Sequence, residues 1–236
     1  MDPDLPLRIY IVFFLTTFSL FLFLLFAIGF SRHSKRIRLQ WLTGFTIAIW
    51  LAITGYLAYS GFFQAYEEVP PRMIFGVLPP LITVIGLIAF GASRRFLFRI
   101  PLFTLTYLHI IRIPVEIVLW WLYKQGLVPE MVTFEGGNWD ILSGITAPFV
   151  AHFLNPAVGR HRFVIFIWNL AALGLLFNVV IRGVLSAPYI TQVFSFDQPN
   201  IGLLQFPFIW LPVFIVPAVL FSHLIAMNKL VRKLKK

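Results

Sequence analysis

Stretches free of charge recur along the chain, at roughly 9–30, 41–63, 73–92, 101–123, 139–154, 163–185 and 204–227. Most run to about 20 residues, the length of helix that crosses ~30 Å of hydrocarbon. The pattern predicts an all-α fold: a polytopic membrane helical bundle of about seven transmembrane helices. No heptad seam, low-complexity linker or internal repeat breaks it, and the connectors are too short to hold a soluble domain. Residues 1–236 therefore read as a single transmembrane bundle domain.

The polar positions supply an orientation. Arg32, Lys35, Arg36 and Arg38 follow the first stretch, Arg94, Arg95 and Arg99 the third, Arg160 and Arg162 the fifth, and Lys229, Arg232, Lys233, Lys235 and Lys236 the seventh. These alternate connectors hold no acid. The others hold Asp2, Asp4, Glu67, Glu68, Glu130, Glu135, Asp140 and Asp197, with Arg8, Arg72, Lys124 and Arg182 as their cations. Because cytoplasmic loops accumulate Lys and Arg, the N-terminus is expected outside and the C-terminus inside. Trp41, Tyr123, Trp139 and Tyr189 fall near stretch ends, where an interfacial aromatic belt would hold them.

Composition agrees with this plan. The chain is 59% hydrophobic and only 12% charged, with mean hydropathy +0.88, whereas soluble domains carry about 25% charged residues. A water-soluble globular protein is excluded. Met1-Asp2-Pro3-Asp4 is acidic where a secretory signal is basic, and the apolar stretch behind it is too long for an h-region, so it is expected to stay as the first span. The net charge of +10 follows from topology and does not call for nucleic acid. The lipid bilayer is the expected partner, with anionic lipid at the Lys-rich C-terminus and a membrane-protein partner or homo-oligomer as further candidates. The compact connectors suit a bacterial inner membrane. Zero cysteines exclude disulfides, thiolate metal sites and cysteine nucleophiles.

Candidate chemistry concentrates in the fourth stretch. His109, Arg112 and Glu116 stand at i, i+3 and i+7, within about 60° of one helix face. Ionisable groups inside an apolar span are costly and mark functional sites, although Arg112 and Glu116 also have the i, i+4 spacing of a plain salt bridge. Pro114 lies between them and frees the carbonyl of Ile110, one of several interruptions that include Pro79-Pro80, Pro148, Pro207, Pro212 and Pro217. Facing stretches offer Asp140, Ser143, Thr146, Asn169, Asn178 and Arg182, of which Asp140, Asn178 and Arg182 are expected to converge with Arg112 and Glu116. The connector before the fifth stretch carries Glu135-Gly136-Gly137-Asn138: the glycines permit a left-handed turn, Asn138 suits a helix N-cap, and the chain is expected to dip into the bundle there.

Five histidines raise a metal reading. His33 and His161 sit in basic connectors, where solvated imidazole is the default. His109, His152 and His223 fall in the inner half, where three imidazoles would suit zinc and two would suit haem, yet no His-Glu-x-x-His spacing supports either. The seventh stretch has no lysine before Lys229, which excludes a retinal Schiff base, and the motifs of seven-span zinc hydrolases do not occur at recognisable spacing. The function these residues fit first is binding or transport of a small polar or anionic ligand, or of protons, through an intramembrane Arg/Glu/His site. A structural or assembly subunit of a membrane complex comes second, and an intramembrane metal- or haem-dependent enzyme third.

Overall fold

The computed structural model describes residues 5–29, 36–90 and 96–234. Asp2, Asp4, Arg32, His33, Lys35, Arg94, Arg95, Lys235 and Lys236, and the side chains of Arg36 and Lys233, lie outside the described residues. The described chain is helical with no strand. Its helices are α1 (Leu7–Gly29), α2 (Arg36–Tyr59), α3 (Met73–Ala89), α4 (Leu102–Tyr107), α5 (Arg112–Lys124), α6 (Ile141–Phe153), α7 (Gly159–Leu185) and α8 (Val216–Leu234). A 3-10 segment, Leu108–Ile111, joins α4 to α5, and a π turn, Leu211–Ile215, leads into α8.

Among the described residues five helices are long and apolar enough to cross a membrane: Leu7–Gly29, Ile37–Tyr59, Leu102–Lys124, Gly159–Leu185 and Leu211–Arg232. Met73–Ala89 and Ile141–Phe153 are apolar but shorter. The second stretch starts earlier than its lack of charge suggests, because Arg36 and Arg38 are helical, and it ends at Tyr59, with Phe62–Gln64 forming a 3-10 turn. The seventh starts later, since residues 204–210 form the approach, with a cis bond at Phe206-Pro207.

Large apolar side chains on the outer faces are exposed, among them Phe18, Phe45, Ile85, Phe149 and Ile181. A surface of that kind suits hydrocarbon rather than water. The main core joins α1, α5, the π turn and α8 through Phe13, Leu20, Val118, Leu122, Ile215 and Val219, and Phe208 stacks on Tyr10 and meets the edge of Phe13. Hydroxyls within the helices bond back to their own backbone: Thr16 and Thr17 donate to the carbonyls of Val12 and Phe13, which removes the cost of a bare hydroxyl among apolar groups.

Tryptophans meet the backbone where the last helix is interrupted. Pro217 leaves the carbonyl of Val213 without its helical donor, and Trp50 Nε1 donates to that oxygen at 3.1 Å. In return, Trp210 Nε1 donates to Leu51 O at 3.0 Å. The two indoles clamp α2 to the irregular start of the last span.

Connectors 60–72, 125–140 and 186–210 are knitted together at one end of the bundle. Tyr189 donates to Phe63 O at 2.6 Å, and Gln198 Nε2 donates to Val128 O at the same distance. The backbone N–H of Gly202 reaches Leu127 O at 2.7 Å. Tyr189 is thus buried rather than part of an interfacial belt, and burial raises its phenol above the usual range. Trp41 and Trp139 are exposed.

Gly144 sets the distance between α6 and the helix that carries the polar face. A Cβ there would stand 2.8 Å from Ile113 Cγ1 and 3.2 Å from the His109 carbonyl. Gly174, on the exposed side of α7, meets nothing within 4 Å. Gly144→Ala is expected to cost about 1–3 kcal/mol through overpacking, whereas Gly174→Ala should be stabilising by roughly 0.5–1 kcal/mol through chain entropy. Thermal unfolding of the two variants in the same detergent checks this opposition of sign.

Candidate functional site

The polar face expected on the fourth stretch is buried at the centre of the bundle. His109, Arg112, Glu116, Asn138, Asp140, Asn169 and His223 are each no more than 4% exposed. They come from the 3-10 segment, α5, the connector before α6, α7 and α8. Arg112 Nη1 donates to Asp140 Oδ1 at 2.5 Å and to the Ala172 carbonyl at 3.0 Å. Its Nη2 lies 2.7 Å from His223 Nε2. A guanidinium only donates, so His223 Nε2 accepts and its Nδ1–H donates to Asn169 Oδ1 at 3.0 Å. Asn169 passes its own amide hydrogen to Ile165 O. That order fixes His223 as the neutral Nδ1–H tautomer.

The ion pair differs from the one suggested by spacing. Arg112 pairs with Asp140 across helices, and no Arg112–Glu116 bridge forms. Glu116 instead receives the Asn138 amide on both oxygens, at 2.7 and 2.8 Å. Asn138 also donates to Val132 O, and its Oδ1 accepts the backbone N–H of Asp140 at 3.1 Å. Asn138 therefore links Glu116 to Asp140 and is not the cap of α6, since residue 140 occupies that position. One hydrogen-bonded sequence results: Glu116, Asn138, Asp140, Arg112, His223, Asn169.

Gly136 and Gly137 make this possible. A Cβ on Gly136 would fall 2.2 Å from the Glu130 carbonyl oxygen, and Gly137 has φ of +89°. The left-handed turn lets the connector fold inward, burying Val132, Thr133 and Asn138. Arg182 fastens it from α7, donating through Nη1 to Met131 O and Gly136 O and through Nε to Asn178 Oδ1. Arg182 and Asn178 thus hold the connector in place and are bonded to neither Arg112 nor Glu116. Glu135 lies on the exposed side of the turn and pairs with Lys124 at 2.7 Å. That hydrogen bond holds the carboxyl below its ordinary range, so the contribution of the pair is present near neutral pH and lost as pH falls through the acid range. Exposure keeps it small.

His109 takes no part in this hydrogen bonding. It is fully buried, yet neither ring nitrogen has a hydrogen-bond partner among the described residues. Its ring stacks on His223 with centroids 4.0 Å apart and meets Trp168 edge-on at 5.5 Å. Arg112 Nε and Ser143 Oγ are also unpaired.

The three-histidine set does not assemble. His152 is exposed near the end of α6 and packs against Phe153. Among the described residues no group of three or more His, Cys, Asp or Glu side chains is placed to hold a metal ion. His109 and His223 lie nearly parallel, with 24° between planes, whereas axial haem ligands would stand on opposite sides of an iron. His161 lies in the first turn of α7, not in a connector, and accepts the Asn155 N–H.

Of the residues expected to converge, Arg112 meets Asp140 directly and Glu116 reaches it through Asn138, whereas Asn178 and Arg182 stand apart. Asn138, Asn169 and His223 join the network as an amide or imidazole placed inside or beside otherwise apolar stretches. A family model described as a domain of unknown function (DUF8737) matches residues 73–231, a span that contains the whole network. No curated protein and no solved structure matches the chain.

Removing one member of a buried ion pair leaves the other charge uncompensated, at about 3–5 kcal/mol. Arg112→Ala and Asp140→Asn are each expected to show a loss of that size in detergent unfolding, and the double variant less than their sum. Strict additivity would mean that the two charges are not coupled. Gly136→Ala should also destabilise, because the clash is with backbone rather than a mobile side chain.

Proposed function

The chain belongs to that domain family of unknown function, and from this premise we propose that it is an integral membrane protein whose buried Arg/Glu/His network binds and passes on protons, in support of transport of a small polar or anionic ligand. The carrying observation is His109, fully buried with neither ring nitrogen paired among the described residues, beside the hydrogen-bonded sequence from Glu116 to Asn169. A buried unpaired polar group costs about 1–3 kcal/mol, and such exceptions concentrate where a site does chemistry. Polar ionisable groups within apolar spans are also where proton relays are built. The proton is the ligand that fits best, since the residues are packed closely and the large cavity elsewhere in the bundle has none of them in its wall.

In this reading the chain crosses the membrane seven times. The short helices α3 and α6 complete the five long ones, and the three knitted connectors, which carry Glu67, Glu68, Glu130, Glu135 and Asp197, face outward. The basic connectors face inward, with the bacterial inner membrane as the setting that compact loops suit. The whole chain acts as one bundle domain.

A second reading is a structural or assembly role, favoured by the way Arg112 ties α5, α7, α8 and the Asp140 connector together. Proton exchange separates the two. Infrared difference spectra of the reconstituted protein across a pH titration should contain a protonated-carboxyl band that disappears in Glu116→Gln. A pH-sensitive dye in proteoliposomes should report proton movement that falls by about 10²-fold or more in Glu116→Gln and His109→Ala. Folded variants with unchanged proton movement would remove the proton reading and leave the structural one.

A further inference from the structure

A cavity of about 1030 Å³ lies among α1, α2, α3, residues 96–100, α4 and the last span. Its walls are mostly aliphatic and aromatic, with Leu24, Leu42, Val84, Leu97, Leu105 and Phe214 among them. The volume stands at the upper end of the ~300–1,000 Å³ typical of small-molecule sites. A long apolar chain fits such walls better than a compact polar solute.

Two polar features point to the kind of molecule. Thr104 lines the cavity, is buried, and its hydroxyl has no partner among the described residues. Arg38, also in the wall, is exposed and forms no ion pair among the described residues. Beside the same wall Lys229 donates to the Ile100 carbonyl, and the Arg232 guanidinium lies 4.6 Å from the Phe98 ring centroid. Acids are absent from every element concerned: the sequence has none between Asp4 and Glu67, between Glu68 and Glu116, or after Asp197. An anion meets only cations at this end.

We propose that the cavity holds the acyl part of an anionic phospholipid from the surrounding bilayer, with its phosphate at Arg38 and an ester oxygen within reach of the Thr104 hydroxyl. Lipid tails are as apolar as leucine, so moving a chain from bilayer to cavity gives little selectivity. Discrimination must come from the head group, where each nearby cation favours an anionic surface. The site is separate from the proton reading. It does share a wall with it, because Leu108 lines the cavity and precedes His109 in the same 3-10 turn.

The test is native mass spectrometry of the full chain, released from mild detergent after equal addition of phosphatidylglycerol and phosphatidylcholine. One phosphatidylglycerol per chain should be retained, in preference to phosphatidylcholine by about fivefold or more, and Arg38→Ala should reduce its retention by about fivefold. Arg38 is exposed, so that variant keeps its fold. Val84→Phe, which fills part of the cavity, should weaken both lipids. Equal retention of the two lipids, no retained lipid, or phosphatidylglycerol binding unchanged in both variants would overturn the proposal.

Discussion

A guanidinium that cannot give up its proton has to be met by acceptors wherever the fold puts it. Arg112 is placed at the centre of a helical bundle, and its acceptors decide which elements come together. Asp140 brings the connector before α6, Ala172 O brings α7, and His223 brings α8. Any other packing would have to supply an anion and two further acceptors at the same place. Burial of the pair adds little net stability by itself, since desolvation offsets most of the attraction. Its effect is to penalise every arrangement in which one partner is left alone.

The connector at 125–140 does what a side chain on a regular helix cannot. Helix geometry offers Arg112 its own Glu116 one turn away, and a simple bundle would use it. The glycine turn instead delivers Asp140 and Asn138 from outside the helix. Asp140 takes the cation, and Asn138 occupies Glu116 with an amide, a donor without charge. The two carboxyls are thereby divided between different partners and joined only through the Asn138 side chain. A carboxyl held by a neutral amide retains the freedom to exchange a proton that a carboxyl locked to a guanidinium has lost. This separation supports the proton reading at Glu116.

The sequence already contained the positions of most helices and the chemistry of the central face. Charge-free runs are a strong signal because every backbone group in hydrocarbon must be paired within the helix, and His109, Arg112 and Glu116 stand out against such a run. Partner choice was not legible. Arg112 and Asp140 are separated by 28 positions, and nothing in a single chain states which helices touch. Asn138 followed two glycines and looked like a cap; its inward turn depends on the close approach of Gly136 to Glu130 O. His152 shared an apolar context with His109 and His223, yet a face of α6 turned outward leaves it exposed. The seven-helix count likewise rests on two helices, Met73–Ala89 and Ile141–Phe153, whose length falls short of a full span.

Irregular backbone occurs in both spans that supply the imidazoles. The 3-10 turn at Leu108–Ile111 carries His109, and the π turn at Leu211–Ile215 with Pro217 sits in the helix that carries His223. Bonds from outside the polar network lie at or beside both: Ser222 donates to Leu105 O, one turn before the 3-10 segment, and Trp50 donates to Val213 O within the π turn. Leu108, Val213 and Pro217 also form cavity wall. Packing in the cavity therefore bears on the turn that carries His109 and on the interrupted helix that carries His223, whose rings stack 4.0 Å apart. A chain that fills the cavity would stiffen both turns and hold the His109–His223 pair in register, whereas a looser wall would let either ring turn its nitrogens toward a new partner. The apolar and polar halves of this bundle are two faces of the same interrupted helices, and an effect on one has a physical route to the other.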